Sequence, residues 1–423
     1  MSSAEPMRPA ASIREHAGLT DSSVPKQFRA GTDRAEHPQT TLEKVSPFFK
    51  TAGITRVANI TGLDRIGIPV VAVMRPNSRS VAVSQGKGAT LTAAKVSGVM
   101  EAIEAYHAEH IKAPLVLASA RELGAEAIPV EGLPRTTSSV YSPELRLLWM
   151  SAQLPLRGKR ALVPYELVHL DFRAPFPTGT GAFVMSSNGL ASGNHLTEAT
   201  SHAIGELIER DANTLWRLLP EDERRATRVD LASVDHELCS QLLHRFEAAE
   251  VEVAVWETTT ELGVPSFRCG IADRAPEVES PTAPAYGSGC HARRAVALSR
   301  ALTEAAQGRL TMISGSRDDL GAQDYAPAEV RARLQRFRAA TAAPPTRAFE
   351  RAPNHESATL DADLSWMLSR LQECGFEDLA VVDLSRAEAG IAVVRVIVPG
   401  LEPISEMPGY FPGLRARARL EQR

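Results

Sequence analysis

The chain is poor in the residues that announce a specialised class. Its four cysteines, Cys239, Cys269, Cys290 and Cys374, are scattered through 423 residues with no C-x-x-C spacing. That excludes a disulfide framework and a zinc knuckle, and suits the reduced thiols of a cytoplasmic protein. Aromatic residues make up only 5%, too few for a platform on which single-stranded bases stack. No basic block occurs: 47 Lys and Arg face 51 Asp and Glu, a formal charge of −4, so no nucleic acid is expected as a partner. No run approaches the roughly 20 apolar residues of a membrane helix, so no membrane association is expected. The first 40 or so residues lack the apolar stretch of a secretion signal. A Walker-type phosphate loop is also missing, because Lys87 is followed by Gly88 and Ala89 and not by Ser or Thr.

What the chain does have is a repeat. Ser84–Glu109 and Ser186–Arg210 align at a constant offset of 105, pairing Gly88 with Gly193, Leu91 with Leu196, Thr92 with Thr197, Ala94 with Ala199, Glu101 with Glu206 and Glu104 with Glu209. In each copy a glycine loop of phosphate-binding appearance feeds a helix, and Glu-x-x-Glu sets two carboxylates on one helical face. These acids flank the apolar stripe (Val99, Met100, Ile103; Ile204, Leu207, Ile208) and do not lie opposite it, unlike an ordinary solvated face. A looser third copy, Tyr286–Leu310, runs from Gly287-Ser-Gly289 to Arg300, Glu304 and Gln307, with a glycine-to-acid spacing of 15 where the others have 13. Four acids brought together repel unless divalent cations sit between them, and Mg²⁺ takes both carboxylate and phosphate oxygens. The pattern therefore predicts metal–nucleotide chemistry, with the helix-borne Arg210 and Arg300 available to phosphate.

In chain order, residues 1–46 are expected to be a disordered tail, with ordered structure from Pro47. Strands are expected over 54–61 and 67–74, a helix over about 92–111, and a strand over 180–186 delivering the second loop. EDERRATRVD after the second helix reads as a solvated loop. Helix–strand–strand layers are expected at 235–273 and 361–398, with a short helix and loops between, and residues 416–423 as a C-terminal tail. These layers argue for an α/β (α+β) architecture with helices packed on largely antiparallel sheets.

The segments SQGKG…MEAIEAYHAE, SSNGLASGN…ELIERDA and GSG…RALTEAAQGRL together resemble the three ATP-binding signatures of the YcaO family, over about residues 50–415. RVANITGLDRIGIPV and VPGLEP look most like the TfuA-associated branch. The resemblance implies a catalytic domain over 47–415 that binds ATP and Mg²⁺. Ser97, Glu101 and Glu104 match the first signature, Glu206, Glu209 and Arg210 the second, and Arg300, Glu304 and Gln307 the third. Glu101, Glu104, Glu206 and Glu209 are the expected metal ligands, and Lys87 a further nucleotide contact. Glu206, Glu209, Arg210 and Arg300 are the expected catalytic residues. Ala105 and His202 depart from the pattern, standing where many members have arginine and serine.

The implied activity is ATP-dependent activation of a backbone amide in a ribosomally made peptide or protein. Azoline-forming members commonly end in Pro-x-Pro-x-Pro, whereas this chain ends Arg-Ala-Arg-Ala-Arg-Leu-Glu-Gln-Arg. Thioamide formation with external sulfide and a TfuA-like partner is thus the first expectation. Azoline cyclodehydration is the alternative, and a non-catalytic leader-peptide-binding scaffold the second. A homodimer is also expected.

Overall fold

The computed structural model describes residues 23–274, 282–317 and 320–422. After a helix α1 (Pro38–Val45), strands β1 (Arg56–Asn59), β2 (Val70–Met74) and β3 (Val83–Lys87) form a three-stranded antiparallel sheet whose edge, β3, enters helix α2 (Leu91–Glu109). Strands β4 (Val116–Ser119), β5 (Arg146–Leu154), β6 (Lys159–Pro164) and β7 (Leu190–Gly193) begin a second sheet, and β7 enters helix α3 (Leu196–Arg217). Helix α4 (Glu237–Ala248) precedes a third sheet of β8 (Val251–Glu257), β9 (Ser266–Asp273) and β10 (Ala285–Cys290), and β10 enters helix α5 (Arg294–Ser314). Helices α6 (Pro327–Thr341) and α7 (Leu360–Glu373) follow. Strands β11 (Ala380–Asp383) and β12 (Ala392–Ile397) then complete the second sheet between β5 and β7, and helix α8 (Leu414–Glu421) ends the chain. Mixed α/β structure on antiparallel sheets is what the sequence leads one to expect, as are both helix–strand–strand layers.

Three sheets thus each present an edge strand, and each edge strand runs into a helix. The helices close a ring: α2 packs on β3 and on β7, α3 on β7 and on β10, and α5 on β10 and back on β3. The glycines make this closeness possible. A Cβ on Gly86 would meet the Ala94 carbonyl at 2.1 Å, one on Gly289 the Ala297 carbonyl at 2.0 Å, and one on Gly193 the Ala199 nitrogen at 2.7 Å. These glycines serve helix-on-strand approach, a role that a phosphate-loop appearance in the sequence does not show. Thr90 caps α2 by accepting from the Ala93 N–H (3.2 Å), and at α3 the His195 imidazole accepts from the Thr197 N–H (3.2 Å).

Four expectations are corrected. Residues 180–186 are not a strand. The buried carboxylate of Glu166 accepts the N–H groups of Gly181, Ala182 and Phe183 at 2.5, 3.1 and 2.8 Å and folds them into a turn. Residues 23–46 include α1, and several between 30 and 41 line the cavity described below, so the part of the expected tail that is described is ordered; residues 1–22 fall outside the described residues. EDERRATRVD contains a short helix, Glu221–Ala226, because three acids in its first turn and arginines in its last suit the helix dipole. The C-terminal residues form α8, whose first turn is held by Glu402, accepting from Gly413 N at 3.0 Å and Ala416 N at 2.9 Å. Arg415 meanwhile grips the buried Asp211 of α3 at 2.9 and 3.0 Å.

Candidate functional site

The ring of helices encloses a cavity of about 780 Å³. Every residue singled out from the sequence lines it: Lys87, Ser97, Glu101 and Glu104 from the first unit, Glu206, Glu209 and Arg210 from the second, and Arg300, Glu304 and Gln307 from the third. The ring geometry decides how they are held, because acids of one helix are bonded by the neighbouring unit's strand. Glu104 on α2 accepts from the backbone N–H and the hydroxyl of Ser192 on β7, at 2.8 and 2.6 Å. Glu304 on α5 pairs with Lys87 of β3 at 2.6 Å and accepts from Ser288 N of its own strand at 3.2 Å. Gln307 donates to the Gln85 carbonyl on β3 at 3.4 Å. Glu206 accepts from Gly189 N at 3.1 Å, and Arg210 lies 3.4 Å from Glu209.

Electrostatically the acids are under-compensated. Burial pushes the Glu101 carboxyl up to about 7, with Lys87 and Arg317 opposing. Burial pushes Glu104 up to about 8, against the Ser192 hydroxyl bond, and the charges of Glu101 and Glu206 push the same way. Burial, opposed by Arg210 and aided by Glu304, brings Glu209 to about 7. Glu304 is the exception: burial opposes its ionisation, but Lys87 and Arg210 hold it below the usual carboxylate range. Carboxylates that repel one another around one cavity, with fewer cations than carboxylates lining it, are a donor set suited to a hard divalent cation.

Several cavity residues carry no motif in the sequence. Residues 30–38 form one wall. There Arg34 pairs with Glu198 of α3 at 3.3 Å, and Glu198 also accepts from Ala35 N at 2.8 Å. Thr41 of α1 donates to Asn194 at 3.0 Å. His202 of α3 accepts from the Arg300 guanidinium at 3.2 Å. Glu198 was the one legible signal, an acid in the first turn of the second helix with no counterpart in the first. Behind this wall Asp33, His291 and Asp363 approach with ligand atoms within 4.8 Å, a spacing that would suit a metal. Lys26 already sits there, however, with its ammonium 3.0 Å from Asp33 and 2.5 Å from Asp363.

Residues 85–402 match the family described as YcaO cyclodehydratase, ATP- and Mg²⁺-binding. An uncharacterised protein of the tfuA 3′ region in Rhizobium leguminosarum bv. trifolii is 35% identical over 394 residues, 91% of this chain and 92% of that protein. An uncharacterised protein of Methanothermobacter thermautotrophicus is 35% identical over 379 residues, 89% of this chain and 96% of that one. Among solved structures, YcaO from Methanopyrus kandleri, bound with AMPPCP and Mg²⁺, superposes with a TM-score of 0.69 at 22% identity, over 92% of this chain and all of that one. A heterocyclase in complex with substrate and cofactor gives 0.74 at 24% identity, over 93% of this chain and 56% of that longer one. Among the described residues no helix is long and apolar enough to cross a membrane.

Proposed function

On the premise that this chain belongs to the YcaO family of ATP- and Mg²⁺-binding enzymes, we propose that it thioamidates a backbone amide of a ribosomally made peptide or protein. ATP and an external sulfide donor are consumed, and a TfuA-like protein is the partner. The observation that carries the nucleotide half is the set of under-compensated acids from neighbouring helices converging on one cavity. Mg²⁺ held by Glu101, Glu104, Glu206 and Glu209 would supply the missing positive charge and draw charge off the phosphates. The chain's own residues do the rest. Lys87, Arg210 and Arg300 present fixed cations to a polyphosphate, and the strand N–H groups of Ser192 and Ser288 keep Glu104 and Glu304 in place.

The chemistry follows from the leaving group. Amide oxygen leaves poorly until phosphorylated. Sulfide adds to the amide carbon, the resulting oxyanion takes the γ-phosphoryl group and releases ADP, and the C–O bond then breaks to expel phosphate and leave C=S. The relative from the tfuA 3′ region supports the thioamide over the azoline. A homodimer and a cytoplasmic location complete the reading, and light scattering at micromolar concentration tests the dimer.

Two experiments test this. Replacing Glu206 or Glu209 with Gln is expected to abolish Mg-ATP binding by calorimetry; unchanged affinity in both variants sinks the site. Incubation of a precursor peptide with ATP, sulfide, the enzyme and the TfuA-like partner is expected to add the mass difference between sulfur and oxygen. Loss of one water instead would put the azoline alternative in its place. Modification by the partner alone would favour the scaffold.

A further inference from the structure

Four of the cations that line the cavity are tethered in two different ways. Arg34 is tied to Glu198, Lys87 to Glu304 and Arg210 to Glu209, at 3.3, 2.6 and 3.4 Å. Arg300 has no carboxylate within ion-pair distance among the described residues. Its partner is an imidazole, His202 Nε2 at 3.2 Å. A guanidinium has donors and no acceptor, so Nε2 must offer its lone pair, and the proton of the neutral ring must sit on Nδ1, which is buried without a partner from another residue. The surroundings enforce that state: burial first, then the charges of Arg300, Arg34 and Lys87, all act against a second proton.

We propose that His202 is a positioning residue for Arg300, a neutral tether that fixes the guanidinium toward the cavity without cancelling its charge. A carboxylate at the same place would hold Arg300 equally well and neutralise it. A serine, the residue expected there from the family pattern, reaches less far from α3 than an imidazole does. The Arg300 so held is paired with no carboxylate among the described residues, and its charge is therefore available to the phosphates of a bound nucleotide. This rests on the nucleotide-binding reading above and gives a role to a residue that the sequence marked only as a departure from the family pattern.

The test measures binding of a non-hydrolysable ATP analogue with Mg²⁺ to the full chain by calorimetry. It compares wild type, His202→Ala, His202→Gln, Arg300→Ala and the His202→Ala/Arg300→Ala double variant, with thermal melts to verify folding. His202→Ala is expected to weaken binding roughly tenfold, the loss of one charge-assisted hydrogen bond. His202→Gln, whose side-chain oxygen can accept from Arg300, is expected to stay within about twofold of wild type, and the double variant to bind within about twofold of Arg300→Ala alone. A purely structural role for His202 would not give that coupling. The inference is overturned if His202→Ala binds like wild type, if it costs the same factor with Arg300 absent, if folded His202→Gln is as weak as His202→Ala, or if Arg300→Ala binds normally. Failure of wild type to bind the Mg-nucleotide would instead remove the functional reading beneath it.

Discussion

Two groups of buried acids lie on either side of one wall of this protein. Behind the wall, Asp33 and Asp363 share the ammonium of Lys26, and Asp33 also receives Arg293 at 2.5 Å. Burial opposes ionisation of Asp33, but His291, Arg293 and Lys26 hold it below the usual range. Inside the cavity Glu101, Glu104 and Glu209 are pushed the other way, to about 7, 8 and 7, because their surroundings offer burial and like charge in excess of cations. By distance alone the first group looks the better metal site. Charge reverses that ranking: the first group is complete within the chain, and the second becomes so only with a ligand.

The largest expected effect breaks the complete group. Lys26→Met leaves buried carboxylates without their shared cation and is expected to cost about 3–5 kcal/mol in urea unfolding; a neutral outcome would erase the distinction between the groups. In the cavity the sign should invert. Glu104→Gln keeps an oxygen for Ser192 and removes a repelling charge, so it is expected to stabilise the ligand-free protein by about 1 kcal/mol at alkaline pH while weakening Mg-ATP binding. A variant that loses both stability and binding would argue that Glu104 is merely structural. The smallest effect is the pH dependence. A carboxyl whose folded pKa lies above its unfolded value costs stability once ionised, and the cost fades as pH falls through the folded value. With Glu101, Glu104 and Glu209 raised from the ordinary 4.5 to about 7 to 8, ligand-free stability should rise as pH falls from about 9 and go on rising until the unfolded carboxyls also protonate, whereas Mg-ATP affinity should fall as protons compete with the metal. Buried thiols such as Cys239, pushed up to about 12, add slope of the same sign at the alkaline end. The diagnostic is therefore the shallower slope of Glu104→Gln.

Much of this was legible in the sequence, for a physical reason. The acids, the helices that carry them and the glycines ahead of them are fixed by local spacing, and local spacing survives in a linear text. The meaning of those glycines was not legible, because close approach of Gly289 to the Ala297 carbonyl and a tight turn in a phosphate loop ask for the same residue. Residues 180–186 have the apolar content of a strand, but Glu166, 15 to 17 positions upstream, takes up the N–H groups of Gly181, Ala182 and Phe183, and Val184 donates to the Pro134 carbonyl. The segment from Val24 to Val45 reads as a polar tail because its order comes from distant partners such as Asp363, Arg293 and Glu198, the nearest of them 163 positions away. Arg415, which closes on Asp211 across 204 positions, hid the C-terminal helix in the same way.

The closed ring of units also has a consequence for how the protein assembles. Lys87 and Glu304 are 217 positions apart, Gln85 and Gln307 222, and Ser192 and Glu104 88, so no unit completes its share of the site from its own sequence alone. The proposed binding pocket is built from contacts between distant parts of the chain, which carry a high loop-closure cost. Nucleotide occupancy is accordingly a report on the whole chain having folded, and amide exchange at Ser192 and Ser288 should slow together when it binds, as one cooperative event around the circle.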